Sequence, residues 1–177
     1  MKYSETKFDN LLILKTKHFS DHRGQLNKFF YSDFFNSYNF NVDDVYTTVS
    51  HKNVIRGLHH QKMPFGQVKL VSCLAGSFMD VAVDLRRDSN TFGEFFSYKL
   101  TAGSEDALLI PAGFSHGTYS LEDGTTMLSI CSGRYLPAEE AGIDMKSLSL
   151  PFSTSNAIVS EKDQFLPSLS SLLSQAI

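Results

Sequence analysis

Tryptophan is absent from this chain of 177 residues, and cysteine is limited to Cys73 and Cys131. Neither cysteine belongs to a CxxC pair and both fall in apolar, strand-like runs. They read as buried free thiols of a reducing compartment rather than a disulfide or a redox couple. No stretch approaches the ~18 consecutive apolar residues of a membrane-crossing helix. The opening MKYSETKFDN lacks the apolar core of a signal peptide. An excess of one charge is missing too: 16 Lys and Arg face 19 Asp and Glu, a formal net charge of −3. Nothing in that balance attracts nucleic acid or an anionic membrane surface, although a local basic pocket for an anionic substrate is compatible with it. Internal repeats and low-complexity segments are also absent. The expectation is a soluble, cytoplasmic protein with neither a nucleic-acid nor a membrane partner.

What is present is a chain 42% hydrophobic with 15 phenylalanines, long enough to bury the core of one domain over residues 1–177. Leu11–Phe19 reads as a first strand, ended by the turn signal Ser20-Asp21-His22-Arg23-Gly24. Gln25–Tyr31 follows, then a short helix over Ser32–Tyr38 with Ser32 as N-cap. From Val45 onward, short strands recur with turn signals between them: Val45–Ser50, Val54–Gln61, Gln67–Leu74, Phe78–Leu85, Glu94–Thr101, Ala107–Ile110, Ser115–Leu121 and Thr125–Ser132. Spacing of roughly 8–12 residues predicts an antiparallel sandwich or barrel. A last helix is expected over Leu166–Gln175, with Pro167 near its start.

Polar groups that a β-core does not need gather in Asn53–Leu74, NVIRGLHHQKMPFGQVKLVSCL. Period-two alternation places Arg56 with His60 on one face, and Gly57 with His59 and Gln61 on the other. Gly57 permits a bulge that leaves the direction of His59 open. Lys69 shares a face with Val71 and Cys73; the alternative is a side chain snorkelling from an edge strand. Asp80, Ala82 and Asp84 share a face opposite Met79, Val81, Val83 and Leu85. The two aspartates read as satisfied polar groups of a barrel interior rather than catalysts. Arg86 and Arg87 read as solvated loop charges. In IPAGFSHG, Pro111 and Gly113 impose a tight turn, and His116 follows it at a position suited to meet a ligand.

The ordered set DHRG, RGLHHQ, QVKLV, FMDVAVDLRRDSNTFGEF, IPAGFSHG and AGIDMKSLSLPFSTSNAIVSEKD resembles the dTDP-4-dehydrorhamnose 3,5-epimerase family over residues 10–167. The resemblance implies an all-β cupin jelly roll: a cofactor-free, metal-free homodimer acting on a nucleotide-diphospho-4-keto-6-deoxy sugar in surface-polysaccharide synthesis. It implies that His59 is the base, that Asp163 of SEKD orients it, and that Lys69 lies beside the 4-keto oxygen. Arg23 and Arg56 would contact the diphosphate side, with His116 also in the pocket and Gln61 of RGLHHQ among the substrate-binding positions. By itself, Asp163 reads as a surface or helix-capping carboxylate.

The implied chemistry suits these residue types. Hydrogens α to the C4 carbonyl need a base with a pKa near 7, which histidine supplies. A carboxylate on its other nitrogen sets the tautomer. A lysine ammonium stabilises the enolate, and the arginine fork matches a diphosphate.

The sequence departs from the family's pattern in three places. Aligning TTMLSICSGRYLP by Tyr135 and Pro137 puts Ser129 where the family carries its acid, a tyrosine. Tyr135, Tyr119 and Cys131 are the stand-ins the sequence offers. Lys28 occupies a position usually held by glutamate, and the usual QDN is replaced around Asp44–Tyr46. Lys28, Ser129 and Tyr135 are therefore expected to shape the substrate site. Without a second acid, His59 could return the proton to its own face, which yields exchange without inversion, or move the carbonyl from C4 to C3 through an enediol, which is 3,4-ketoisomerisation. Two other readings are a non-catalytic sugar-nucleotide binder and a metal-dependent cupin oxygenase. The latter would use His59, His60 and His116, but Gln67 stands where that pattern wants glutamate.

Overall fold

A computed structural model describes residues 1–174. Fourteen strands, two α-helices and three 3-10 turns follow one another along it. One sheet is built from β1 (Lys2–Glu5), β2 (Leu12–Lys15), β5 (Asp44–Ser50), β7 (Val68–Ala75), β10 (Asp106–Ile110) and β12 (Thr125–Ser132). Its spatial order is β1-β2-β10-β7-β12-β5. The second contains β6 (Val54–Gln61), β8 (Ser77–Asp84), β9 (Phe95–Thr101), β11 (Phe114–Ser120) and β13 (Glu140–Gly142). These lie in the order β13-β6-β11-β8-β9, and β14 (Ile158–Val159) adds to β6 in parallel. β3 (Lys17–Asp21) and β4 (Gly24–Lys28) form a separate two-stranded hairpin. The two facing antiparallel sheets make a cupin jelly roll.

Three apolar layers hold the sandwich together. Val71, Cys73, Phe78, Ala82, Leu108 and Phe114 fill the space between the sheets. The outer face of the first sheet buries Leu14, Leu70 and Ile130 against Phe35 and Phe40, around helix α1 (Ser32–Asn36). The outer face of the second sheet packs Val81 and Val83 against Ile143, Met145 and Leu148 of the C-terminal segment. This explains the two faces of β8. Its valines face outward to that apolar cover, while Phe78 and Ala82, and so Asp80 and Asp84, face the interior.

The expected strands from Val45 to Ser132 are present within a residue or so of their bounds. The single strand expected over Leu11–Phe19 is two, because at Thr16 the chain leaves its sheet. There, both the backbone N–H and the hydroxyl of Thr16 donate to the carbonyl of Glu105. Ser32 does not cap α1: the N-cap is Tyr31, with no side-chain hydrogen bond. The last helix starts at Leu169, after Pro167, and the expected end at Gln175 lies outside the described residues. The short strands β1, β13 and β14 are not expected from local pattern.

One bulge decides the orientation of the functional side chains. Opposite β11, the register of β6 shifts, so that His59 pairs with His116 but Arg56 pairs with Thr118. The extra residue falls at Gly57–Leu58. Ile55 and Leu58 are three apart, yet both are buried in the outer apolar layer, which a regular strand cannot achieve. Leaving either side chain out would forgo about 1.5–3 kcal/mol. Gly57 makes the bulge feasible, with φ at +94° and a Cβ there meeting the His116 carbonyl oxygen at 2.7 Å.

Candidate active site

Past the bulge, Arg56 and His59 face the same way, into a cavity of about 410 Å³ between the sheets. Tyr46, Thr48, Lys69, His116 and Asp163 also line it. A second lobe of about 400 Å³ shares Tyr46, His59 and Lys69 and extends towards Asp44, Gln67, Tyr135 and Glu140. Regular alternation would have separated Arg56 from His59; the bulge unites them.

His59 Nε2 lies 2.6 Å from Asp163 Oδ1. Asp163 is only 4% exposed, and its Oδ2 accepts a 3.3 Å hydrogen bond from the Gly57 N–H. Parallel pairing of β14 with Val54 and Ile55 of β6 delivers the Ser160–Asp163 turn to this place. With Nε2–H donated to the carboxylate, Nδ1 carries the free lone pair, so the ring is set to take a proton there. Glu140 Oε1 stands 3.8 Å from that nitrogen. Burial opposes ionisation of Glu140, but hydrogen bonds from Lys162 and Tyr135 outweigh it and hold the carboxyl below its ordinary range.

Lys69 comes from β7, a central strand flanked by β10 and β12, so it does not snorkel from an edge. Burial depresses its pKa, partly offset by Cys131, Glu140 and Asp80. His116 Nε2 meets Asp80 Oδ2 at 2.8 Å, which fixes that ring against the cavity wall. Arg56 is held at the mouth by Nε donation to Ser50 Oγ at 2.9 Å and Nη2 donation to the Val49 carbonyl at 3.0 Å.

Other expected positions lie elsewhere. Arg23 pairs with Asp21 at the hairpin tip, and Lys28 lies over the Tyr31 ring at 4.4 Å. Neither is among the described residues lining the cavity. Gln61 reaches the outer lobe, but its amide nitrogen donates to the Phe65 and Arg134 carbonyls and its oxygen accepts from Leu136 N–H. It organises loops. Ser129 is 1% exposed and lies behind the cavity wall, its Oγ 3.4 Å from Cys131 Sγ. Tyr135 is half exposed, its hydroxyl donating to Glu140 Oε2 at 2.8 Å.

His60 points away from His59, to Ser115 Oγ at 3.1 Å. Burial, reinforced by Lys69, His59 and Lys62, drives it down to about 4. Among the described residues, no three His, Cys, Asp or Glu side chains converge as a metal site. Asp84 is satisfied by Arg86, Ser89 and Thr91. Arg86 is therefore no solvated loop charge: it clamps a buried carboxylate and lies 4.6 Å over the Phe114 ring.

Tyr46 and Glu140 are among the cavity residues that sequence reasoning did not assign to the site. The altered QDN segment was the available signal for Tyr46, since it marks β5 as cavity-lining. For Glu140 the signal was weaker, a carboxylate soon after the Tyr135–Pro137 turn.

Comparison with known proteins finds relatives along nearly the whole chain. A dTDP-4-dehydrorhamnose 3,5-epimerase from Shigella flexneri is 35% identical over 174 residues, covering 92% of this chain and 93% of that protein. A dTDP-4-dehydro-6-deoxyglucose 3-epimerase from Streptomyces bikiniensis is 33% identical over 156 residues, covering 85% and 80%. The Legionella pneumophila dTDP-6-deoxy-D-glucose-3,5-epimerase, solved with dTDP-4-keto-L-rhamnose, superposes with a TM-score of 0.88. It is 31% identical, covering 96% of this chain and 93% of its own. The family profile described as dTDP-4-dehydrorhamnose 3,5-epimerase matches residues 5–171, and with a jelly roll enclosing a His–Asp pair beside a buried lysine, this chain belongs to that family of isomerases.

Proposed function

We propose that the protein inverts C3, C5 or both in a dTDP-4-keto-6-deoxy sugar, within deoxysugar and surface-polysaccharide synthesis. The observation that carries this reading is the His59–Asp163 contact at 2.6 Å, in a cavity shared with Lys69. His59 Nδ1 takes the proton α to the ketone. Lys69 stabilises the charge that moves to O4, a contribution that grows in a water-poor site. Arg56 and His116 hold the substrate.

We further infer a cytoplasmic homodimer. β5 ends its sheet with Val45 and Val49 exposed, and the β3–β4 hairpin leaves Phe19 and Leu26 uncovered. An apolar edge of this kind is suited to a second copy. Within its own chain Arg23 stands apart from the cavity, so a diphosphate contact by Arg23 requires the hairpin of that second copy.

The test is incubation with dTDP-4-keto-6-deoxy-D-glucose in D2O, followed by proton NMR. The expected result is an inverted sugar carrying deuterium at the inverted carbon. A 3-keto product would assign the protein to ketoisomerisation, and tight dTDP binding without turnover would assign it to the non-catalytic binders.

A further inference from the structure

Inversion requires a proton donor on the side of the sugar away from His59, and the position where the family has its tyrosine holds Ser129. We propose that Tyr46, displaced by one strand, is that donor. The inference rests on the epimerase reading given above. In the β5–β12 pairing, Tyr46 lies directly opposite Ser129. Directly paired residues project to the same face of a sheet with their Cβ atoms ~5 Å apart. The phenol of Tyr46 therefore covers the small Ser129 side chain, and the Ser129 hydroxyl and Cys131 thiol lie against it.

Sheet topology sets the stereochemistry. Tyr46 and Lys69 belong to one sheet, His59 and His116 to the facing one. All four line the cavity, so a planar enolate between the sheets presents one face to His59 and the other to Tyr46. Burial raises the Tyr46 phenol above its ordinary value, against an opposing hydrogen bond with Ser129, and the group stays protonated at neutral pH. The other two candidate tyrosines are committed elsewhere. Tyr119 donates to Asn53 Oδ1 at 2.8 Å and stacks on Phe152 in the outer layer. The Tyr135 proton goes to Glu140.

The step balances as follows: His59 Nδ1 removes the α proton, and the C–H electron pair forms the enolate, with its charge on O4. That pair then forms a new C–H bond on the opposite face as the Tyr46 O–H bond breaks. The carbonyl is restored, leaving imidazolium and phenolate. The imidazolium gives its proton to water and the phenolate takes one from water, so no proton is gained or lost.

The decisive variant is Tyr46→Phe, assayed in D2O with dTDP-4-keto-6-deoxy-D-glucose, with dTDP affinity measured alongside. The expected result is that inversion falls about 10²–10⁴-fold, the range for a lost general acid. His59-dependent deuterium exchange with retention should persist, and dTDP should bind as in the wild type. Inversion at the wild-type rate, or parallel loss of exchange and inversion, overturns the assignment. If the wild type itself neither exchanges nor inverts, the epimerase reading fails and takes this one with it. Site-specific 3-fluorotyrosine at position 46, which preserves shape, gives an independent readout. The alkaline limb of inversion should move to lower pH, and an unmoved limb overturns the proposal even if the phenylalanine variant misfolds.

Discussion

Replacing Asp163 with asparagine probes the pair at the centre of the site while keeping its shape. The carboxylate serves two donors: His59 Nε2 at 2.6 Å and the Gly57 N–H at 3.3 Å. A carboxamide has one acceptor oxygen, so it can serve only one of them. If that oxygen accepts from Gly57, the NH₂ faces His59 Nε2 and the ring must carry its proton on Nδ1, where the lone pair is needed. If it accepts from His59, two buried donors confront each other at Gly57, at a cost of about 1–3 kcal/mol in stability. In either arrangement the imidazolium formed on proton abstraction loses a charge-assisted hydrogen bond, about 1.5–3 kcal/mol, or ~10–150-fold in rate at 1.36 kcal/mol per decade. Adding the wrong tautomer extends the expected fall in kcat to about 10²–10⁴-fold, with little change in KM. Steady-state kinetics with a 4-keto-6-deoxy sugar nucleotide, alongside a denaturant melt, gives both numbers. Activity within threefold of the wild type would refute the role assigned to Asp163.

Further outcomes follow from the same geometry. Lys69→Met should lower kcat by about 10²–10³-fold, the range for a lost oxyanion donor, and leave dTDP affinity unchanged; equal losses in both would make Lys69 a binding group only. His60 titrates at about 4 in the folded protein and near 6.5 when unfolded. Between those values the unfolded chain binds the proton and the folded one does not, so stability falls as pH drops from 6.5 to 4. The loss is about 2–3 kcal/mol after allowing for partial exposure. Urea melts at pH 7.5 and 4.5 should show a correspondingly smaller drop in His60→Asn, and an identical drop in both proteins would contradict the assignment. Arg23→Ala and His59→Ala should each be impaired, and mixing them should restore up to about a quarter of wild-type activity if the hairpin serves a second copy's cavity. No recovery after subunit exchange would confine Arg23 to its own chain.

Much of this was legible in the sequence, for identifiable reasons. Strand boundaries were clear because Val54–Gln61 and Thr125–Ser132 carry both β-rich composition and flanking turn signals. The interior face of β8 was legible as Asp80-Ala82-Asp84, although which side it faced depended on the C-terminal cover. His59 was recognisable by its motif, but its direction depended on one inserted residue at Gly57, a long-range compromise that buries Ile55 and Leu58 together. Asp163 looks like a surface carboxylate until β14 pairs with β6, and local pattern carries no signal for a two-residue parallel bridge. Tyr46 was hidden because only cross-strand register places it beside Ser129. Arg23 and Lys28 were placed by motif alone, and their hairpin is set by contacts outside their own sequence.

Deuterium entry from D2O into a dTDP-4-keto-6-deoxy sugar, compared between wild type and His59→Ala, bears most directly on the base at the heart of the cavity. The wild type should place deuterium at C3 or C5 together with inversion, and His59→Ala should leave both carbons fully protonated over the same interval. Undiminished exchange in His59→Ala would mean that the proton leaves by another route, and the roles given to Asp163, Lys69 and Tyr46 around His59 would fall with it.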